Sequence, residues 1–437
     1  MTTTGTRRAA PQPAVDPRTW PWWVQVLAVY AAARAVSAVL LIVAARAQEA
    51  NAWTAAHPSY AQLTGLMWDA SWYRTAAEDG YPATLPRGAD GLVEQNVWAF
   101  FPLFPFLVRG LMELTRGPWE VVAPTTALLL GAAAVLVVHR LVAVGAPRAV
   151  AARPGLPLAT VTLLSVFPTA PVLQVAYTES AALLLVALAL LLLVRRRYLA
   201  TALVVLALGF TRPVALPMAA VVVVHAAARW WTGRARLGAQ APADRRGAQV
   251  PADGRGAQVP ADRFGARDLV GLLVLTASAA VSGVLWPALC GWVTGEPDGY
   301  LQTQEAWRGL REVTPFGAWG YVGRFWFGDG APLVLLAAFA FVALCLLVPA
   351  AWRLGPELHA WPAAYLLYLA AVVEPGSSLA RFLLLAFPLG AATAGVVARP
   401  AGARRVWLSG VVLLMLVLQA VWVWSIWRMT PPSDWPP

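Results

Sequence analysis

The octapeptide Met67-Trp-Asp-Ala-Ser-Trp-Tyr-Arg74 places one carboxylate, that of Asp69, among the aromatic side chains of Trp68, Trp72 and Tyr73. A carboxylate among indole rings loses hydration, unless a cation, a hydroxyl group or a metal ion compensates it. We therefore predict that Asp69 belongs to a functional site near a membrane surface. The alternative is an interfacial aromatic belt that contains an incidental acid.

Two arginines could complete such a site, because each lies where an apolar run begins or turns. They are Arg212, within Phe210-Thr-Arg-Pro213, and Arg381, at the end of Glu374-Pro-Gly-Ser-Ser-Leu-Ala-Arg381. Arginine binds phosphate through two parallel hydrogen bonds. Taken singly, each arginine is more often a snorkelling or helix-pairing residue, but together they predict a phosphate site opposite Asp69.

A phosphate-linked substrate for this chain would arrive through the lipid. The sequence contains neither a G-x-x-x-x-G-K-[ST] loop nor a G-x-G-x-x-G turn, and no interval between apolar runs could hold an ordinary soluble domain. A lipid phosphate is a good leaving group, so arginine could balance its developing charge without a general acid. Asp69 would then act as a base on an acceptor hydroxyl, against an oxocarbenium-like sugar. A divalent ion such as Mg²⁺ or Mn²⁺ held by Asp69 stays an open alternative.

The composition of the chain is that of a membrane protein. Of 437 residues, 59% are hydrophobic and only 13% are charged, with a mean hydropathy of +0.61. The net charge of +11 comes from arginine alone. These arginines lie between apolar runs, as the positive-inside rule requires, so we expect a lipid bilayer and no nucleic acid as partner. The two cysteines and four histidines are scattered and show no metal-ligand spacing.

The apolar runs and the arginines between them predict an all-α polytopic membrane helix bundle of about eleven transmembrane helices. The amino terminus is placed inside and the carboxyl terminus outside. The predicted organisation is a disordered cytoplasmic N-terminus (1–20), an N-terminal transmembrane bundle (21–228) with a first outer loop (46–118), a disordered basic cytoplasmic linker with nine-residue repeats (229–267), and a C-terminal transmembrane bundle (268–437) with an outer loop (292–330).

Three segments depart from simple spanning helices without polar residues. Residues 98–116 contain two prolines and are predicted to lie along the outer interface as an amphipathic helix. The short runs 198–210 and 213–228 predict a hairpin with Arg212 at its turn; one long kinked span is the alternative. Arg34, inside the first apolar run, is expected to face a partner.

This topology brings polar residues from separate motifs to one outer face. Asp69, Arg212 and Arg381 are joined there by Glu179, within Tyr177-Thr-Glu-Ser180, and by Gln304. Because the acids and the glutamine played no part in assigning the topology, their convergence supports a single site. Outer loops are polar in any case, so the two arginines carry most of this inference.

The motifs occur in an order that resembles the PIG-V-type mannosyltransferases, integral-membrane glycosyltransferases of the GT-C class. The similarity covers most of the chain. The pieces that carry it are Trp68-Asp-Ala-Ser-Trp-Tyr73, Gly80-Tyr-Pro82, Phe100-Phe-Pro-Leu-Phe-Pro105, Tyr177-Thr-Glu-Ser180, Thr211-Arg-Pro213, Gln304 to Trp307, and Arg381-Phe382 with Pro388.

The resemblance implies a GT-C-like fold and the transfer of mannose, or a related hexose, from a polyprenyl-phosphate donor, with inversion. It implies that Asp69 is the essential acid of the first outer loop. The expected acceptor is a glycolipid or glycoprotein outside a bacterial plasma membrane, because the arginine-only, alanine-rich composition is typical of a high-GC bacterium. The residues expected to line the substrate are Trp68, Trp72, Tyr73, Tyr177, Glu179, Gln304 and Trp307.

Two other functions remain open at this stage. A transporter or flippase of lipid-linked sugars would also use outer arginines and broken helices. It predicts that transport survives replacement of Asp69 by Asn, whereas a transferase loses turnover. A membrane scaffold that docks a partner on its aromatic loops would form no product from any lipid donor.

Overall fold

The computed structural model describes residues 19–239, 265–309, 311–312, 314–397, 399–430 and 437, and it describes no side chains for 233–239. The regular elements among these residues are all helices, with no strand; an isolated bridge pairs Arg87 with Val93. The predicted all-α class is therefore confirmed.

The helices of the first half of the chain include both long apolar rods and short pieces. They are α1 (Trp22–Arg46), α2 (Tyr60–Gly65), α3 (Asp69–Glu78), α4 (Leu103–Thr115), α5 (Trp119–Gly145), α6 (Pro147–Ala152), α7 (Leu156–Ser165), α8 (Glu179–Val194) and α9 (Tyr198–Gly209).

The second half repeats this alternation of long and short helices. It contains α10 (Leu216–Ala239), α11 (Ala266–Thr294), α12 (Gly299–Trp307), α13 (Ala318–Phe327), α14 (Ala331–Leu347), α15 (Pro349–Trp352), α16 (Pro356–Val372), α17 (Leu379–Phe382), α18 (Pro388–Gly395) and α19 (Ala401–Trp422).

Five helical stretches of the described chain are long and apolar enough to cross a bilayer, and three further apolar helices are shorter. A helix needs about 20 apolar residues to span the hydrocarbon core. The protein is therefore a helical membrane protein. The five stretches are Trp22–Arg46, Trp119–Gly145, Ala266–Thr294, Ala318–Leu347 and Ala401–Trp427.

The core forms where α5 packs against α7 and α8, where α9 packs against α11, and where α10 packs against α16. Small residues allow the closest approaches, as is usual between membrane helices. A Cβ atom on Gly209 of α9 would lie 2.7 Å from the Cβ atom of Ser282 on α11. The hydroxyl of Ser282 donates to the carbonyl of Val205 at 3.1 Å, which joins the same two helices.

Helices α9 and α10 form a hairpin. The hydroxyl of Tyr198, at the start of α9, lies 3.1 Å from Nε2 of His225 and accepts from Nη1 of Arg229 at 2.6 Å. Both partners lie near the middle of α10, well after its start at Leu216, so the two helices run antiparallel. Arg212 is thereby carried to the turn, at the opposite end of the bundle from the Tyr198 contacts.

The apolar run 156–175 is broken where Pro168 and Pro171 interrupt it. Helix α7 ends at Ser165, and a 3₁₀ helix follows over Ala170–Gln174. The broken backbone exposes carbonyl groups, and Arg34 of α1 donates to that of Ser165 at 2.6 Å and also to that of Ala170. The partner expected for Arg34 is therefore backbone, since unsatisfied carbonyls are costly within a membrane.

Two predicted boundaries differ from the structure. Helix α10 continues to Ala239, so the linker predicted over 229–267 is helical in its first part, and α11 already begins at Ala266. Arginine and alanine favour helix, and Arg229 pairs with Asp268 of α11 at 3.3 Å, which stabilises this extension. The disorder predicted for residues 1–20 and for the rest of the linker falls almost entirely outside the described residues.

The predicted first outer loop, residues 46–118, contains α2, α3 and α4. Helix α4 lies within the segment 98–116 and is amphipathic. Phe104 and Val108 are buried on one face, whereas Phe106 and Leu107 are exposed on the other. Exposed apolar side chains of this kind suit a helix lying along a membrane interface.

Candidate functional site

A row of four alternating charges crosses the candidate site. Nη2 of Arg381 lies 2.5 Å from Oδ2 of Asp69, and Nη1 of the same guanidinium lies 3.4 Å from Oε1 of Glu179. Nη1 of Arg212 lies 2.5 Å from that glutamate oxygen. Two acids and two bases leave no net charge, which is what a buried cluster requires. Glu179 is fully buried, and its Oε2 atom has no hydrogen-bond partner within the described residues.

Asp69 is the first residue of α3, where a carboxylate is favoured by the free N–H groups of the helix. Its own N–H donates to the hydroxyl of Tyr177 at 3.2 Å. The preceding residue, Trp68, has a φ of 59°, a strained conformation for a residue with a side chain. Burial holds it there, together with a 2.8 Å bond from its indole N–H to the carbonyl of Trp427.

Glu179 begins α8, and the short segment 175–178 joins it to the 3₁₀ helix that follows the break in the run 156–175. The hydroxyl of the preceding residue, Thr178, lies 3.1 Å from that of Tyr73, so α3 and the start of α8 are tied together beside the charges. Burial raises the pKa of Tyr73 to about 12 and holds that of Tyr177 well above its ordinary value. Both phenols therefore stay protonated at neutral pH.

Aromatic rings hold the two guanidinium groups in place. Arg212 lies over the ring of Phe382, with its Cζ atom 4.6 Å from the ring centroid. Arg381 lies between the rings of Tyr177 and Phe382, at 4.9 and 5.1 Å. Cation–π contacts of this kind strengthen when water is excluded. These ring contacts therefore help to orient both guanidinium groups within the charged row.

The remaining predicted residues form an aromatic wall next to Asp69. Trp72 stacks on Phe100, and Trp307 of α12 meets both rings edge-on, at 5.1 and 5.4 Å. The indole N–H of Trp307 donates to the carbonyl of Asn96 at 3.3 Å, which fixes α12 against the first loop. Gln304 lies half-buried on α12, and within the described residues its side chain makes no hydrogen bond to the charged row.

An apolar groove of about 680 Å³ lies beside the turn that carries Arg212. Its wall includes Phe210, two residues before Arg212, and the backbone of Phe210 accepts a hydrogen bond from Leu103 at 2.9 Å. The turn after α9 thus contributes Phe210 to the groove and Arg212 to the charged row. The side chains that line it include Tyr81, Trp98, Leu103, Phe106, Phe210 and Trp286.

The sequence predicted the members of the charged row but not their pairing. Glu179 was expected to contact substrate; in the structure it bridges both arginines instead. Phe382 and Asn96 were not singled out for the parts they play. The sequence could have indicated Phe382, since it directly follows Arg381. The role of Asn96 is known only from its contacts with α12 in the structure.

The part of the chain that the structure describes contains no group of three or more His, Cys, Asp or Glu side chains placed to hold a metal ion. Asp69 and Glu179 both contact Arg381, so a divalent cation at either carboxylate would have to displace a guanidinium or lie close to one. This donor set does not fit a metal held between the two acids.

No protein-family model matches the sequence, and a search of the curated proteins finds no similar one.

Proposed function

We propose that this chain is a membrane glycosyltransferase that moves mannose, or a related hexose, from a polyprenyl-phosphate donor to a glycolipid or glycoprotein hydroxyl. The observation that carries the proposal is the row Asp69–Arg381–Glu179–Arg212 near a groove lined by aromatic and aliphatic side chains. Such a site offers arginines for a phosphate, a carboxylate for a proton and an apolar channel for a lipid tail.

In the proposed reaction the donor phosphate competes with Asp69 for Arg381. Arginine binds phosphate as well as carboxylate, so the incoming anion releases Asp69 from its 2.5 Å contact. The acceptor hydroxyl then attacks the anomeric carbon, and the bond from that carbon to the phosphate oxygen breaks. The hydroxyl proton passes to Asp69, and the negative charge gained by polyprenyl phosphate is balanced by Arg381 and Arg212. Attack opposite the leaving phosphate inverts the anomeric centre.

The groove lined by Tyr81, Trp98 and Trp286 is proposed to hold the first isoprene units of the donor. Its position next to Phe210 would place a lipid-linked phosphate within reach of Arg212. The aromatic wall of Trp72, Phe100 and Trp307 is proposed to bind the sugar, because carbohydrate rings pack their C–H faces on aromatic rings.

The proposal includes the GT-C class, eleven spans and an active site on the extracytoplasmic side of a bacterial plasma membrane. The support is that eleven helices coincide with apolar runs of the sequence, namely α1, α5, α7 to α11, α14, α16, α18 and α19. In addition, the Arg195–Arg197 cluster lies at the end of α8 opposite Glu179. At 1.5 Å per residue, the 16 residues of α8 separate these ends by roughly 24 Å.

The test supplies purified protein in detergent with polyprenyl-phosphate-mannose and a panel of envelope lipids, and products are read by mass spectrometry. We expect Asp69→Asn to lower turnover by about 10³-fold, since a general base contributes 10² to 10⁴. The matched control is Asp79→Asn at the exposed end of the same helix, which should keep full activity. Equal products from wild type and Asp69→Asn would overturn the assignment of Asp69.

The flippase alternative is separated by reconstituting the same variants in vesicles. A transporter would move the lipid-linked sugar across the bilayer with Asp69→Asn as with wild type, and would form no new glycosidic bond. A transferase forms product only with the acid in place. Absence of product from wild type with every lipid in the panel would favour the transporter or the scaffold.

A further inference from the structure

A second groove, of about 930 Å³, lies between α10 and α16. Small side chains recur every three to four residues on the facing sides of both helices, and residues at this spacing share one face of a helix. Because these side chains are short, a space remains between α10 and α16. The residues on its two walls are Ala220, Val224 and Ala228 of α10 and Ala360, Ala363 and Ala364 of α16.

This groove ends at the arginine-rich end of the bundle, away from the charged row. The start of α16 meets the middle of α10 there, where Nδ1 of His225 lies 2.6 Å from Oε1 of Glu357. Gly355 approaches the end of α5 at Gly145, also at this end. The row with Asp69 lies instead beyond the opposite ends of α8 and α10.

The rim of the groove is cationic and aromatic. Arg148 and Arg353 are exposed on it, and within the described residues neither guanidinium has a carboxylate partner. Trp231 and Trp352 are 64% and 60% exposed at the same rim, which is where tryptophan lies at a membrane interface. His359 stacks on Trp352 at 4.3 Å and leaves its buried Nδ1 atom without a hydrogen-bond partner in the described chain.

We propose that this groove binds an anionic phospholipid, with an acyl chain along the alanine walls and the phosphate between Arg148 and Arg353. No acidic side chain is among the lining residues that the structure describes, so the charge of the rim complements a phosphate. Basic pockets between membrane helices on the arginine-rich side bind anionic headgroups in this way. The site is independent of the reaction proposed at the other end of the bundle.

The experiment uses the full-length protein, purified in mild detergent and stripped of lipid. It is incubated with equal amounts of phosphatidylglycerol and phosphatidylcholine that carry the same acyl chains, and bound lipid is counted by native mass spectrometry. We expect one phosphatidylglycerol retained with about tenfold preference, and a loss of that preference in Arg148→Ala/Arg353→Ala. The matched control Arg324→Ala, at an exposed arginine of α13, should bind as wild type.

A second variant, Ala364→Phe, fills the groove and leaves both arginines in place. It should lose the retained lipid while eluting as wild type in size-exclusion chromatography. The proposal is overturned if the two lipids bind equally, or if the preference survives in the double arginine variant, which would indicate lipid bound elsewhere. It is also overturned if wild type retains no more lipid than Ala364→Phe, as it would with the groove covered by residues 240–264 or by a second copy.

Discussion

Among single residues, Glu179 contributes most to the charge balance of the candidate site, because it pairs with both arginines. It is fully buried, and one of its oxygens contacts both Arg212 and Arg381. Without it, Arg381 would keep Asp69 as its carboxylate partner, whereas Arg212 would have none among the described residues. Removing one partner of a buried ion pair is costly because an uncompensated charge remains in a medium of low polarity.

We therefore expect Glu179→Gln to lower the free energy of unfolding by about 3–5 kcal/mol. The measurement is unfolding in detergent followed by tryptophan fluorescence, with Glu113→Gln as the control, since that side chain is 70% exposed and its loss should change little. The double variant Glu179→Gln/Arg212→Met should recover part of the loss, because it removes the unpaired charge as well. A Glu179→Gln protein as stable as wild type would contradict this account of the row.

The same residues also determine whether turnover needs a divalent metal ion. Because Arg381 and Arg212 already lie beside the carboxylates, they can neutralise a leaving phosphate without a divalent ion. We expect turnover to stay within about twofold after chelation with EDTA and dialysis. A loss of activity that Mg²⁺ or Mn²⁺ restores would show that Asp69 leaves Arg381 to bind a metal instead.

Some residues of the site were predictable from the local sequence, because a charged side chain among apolar or aromatic neighbours loses hydration and needs a partner. Asp69 stands out among indoles, and Arg212 and Arg381 stand out at the ends of apolar runs. The bridge through Glu179 was not predictable, because it depends on how α8, α17 and the turn before α10 meet in space. The bond from Trp68 to Trp427 joins residues 359 apart in sequence, beyond the reach of any local pattern.

Among the helices, the interruption between α7 and α8 positions Glu179 in the candidate site. The interruption after Ser165 lets the chain turn through the 3₁₀ helix Ala170–Gln174 and start α8 at Glu179. Arg34 compensates the break by donating to two of its carbonyls. The arginine within this apolar helix is thus explained by carbonyl groups beside the break, which need a donor because a membrane interior offers no water.

Replacing Arg34 with Met should therefore destabilise the protein by about 3 kcal/mol, since two charge-assisted hydrogen bonds to buried carbonyls are lost. Thermal unfolding in detergent measures this, with Arg74→Ala as the control, because the pair of Arg74 with Glu78 is exposed and contributes little. If the melting temperature of Arg34→Met equals that of wild type, the carbonyls find other donors and the break does not depend on Arg34.

The apolar runs of the sequence predicted that helices exist, but they did not predict the residues at which the helices end. The hairpin α9–α10 was favoured over one kinked span because both ends of the run are flanked by arginine. The extension of α10 to Ala239 was missed, since a repeat rich in Pro and Gly follows closely and the stretch before it is polar. The end of such a helix depends on tertiary contacts, such as that between Arg229 and Asp268, which the local sequence does not reveal.

At the scale of the whole molecule, the bundle has two chemically different ends. One carries the row from Asp69 to Arg212 with the aromatic loops. The other carries Arg195–Arg197, Arg353 and the start of α19 with Arg404 and Arg405. Arginine-rich ends remain cytoplasmic during membrane insertion. The orientation of the bundle therefore determines whether the candidate site can receive a donor and an acceptor from outside the cell.

Labelling of single cysteines tests this orientation. Cys290 and Cys345 are first replaced by Ala, and a cysteine is introduced at Asp90, exposed in the first loop, or at Arg195, exposed after α8. We expect a membrane-impermeant maleimide to label Asp90→Cys in intact cells, and Arg195→Cys only after the membrane is permeabilised, because the arginine cluster holds its end inside. Labelling of Arg195→Cys in intact cells, with Asp90→Cys protected, would place the charged row in the cytoplasm. A polyprenyl-phosphate donor presented at the outer leaflet could not then reach Asp69.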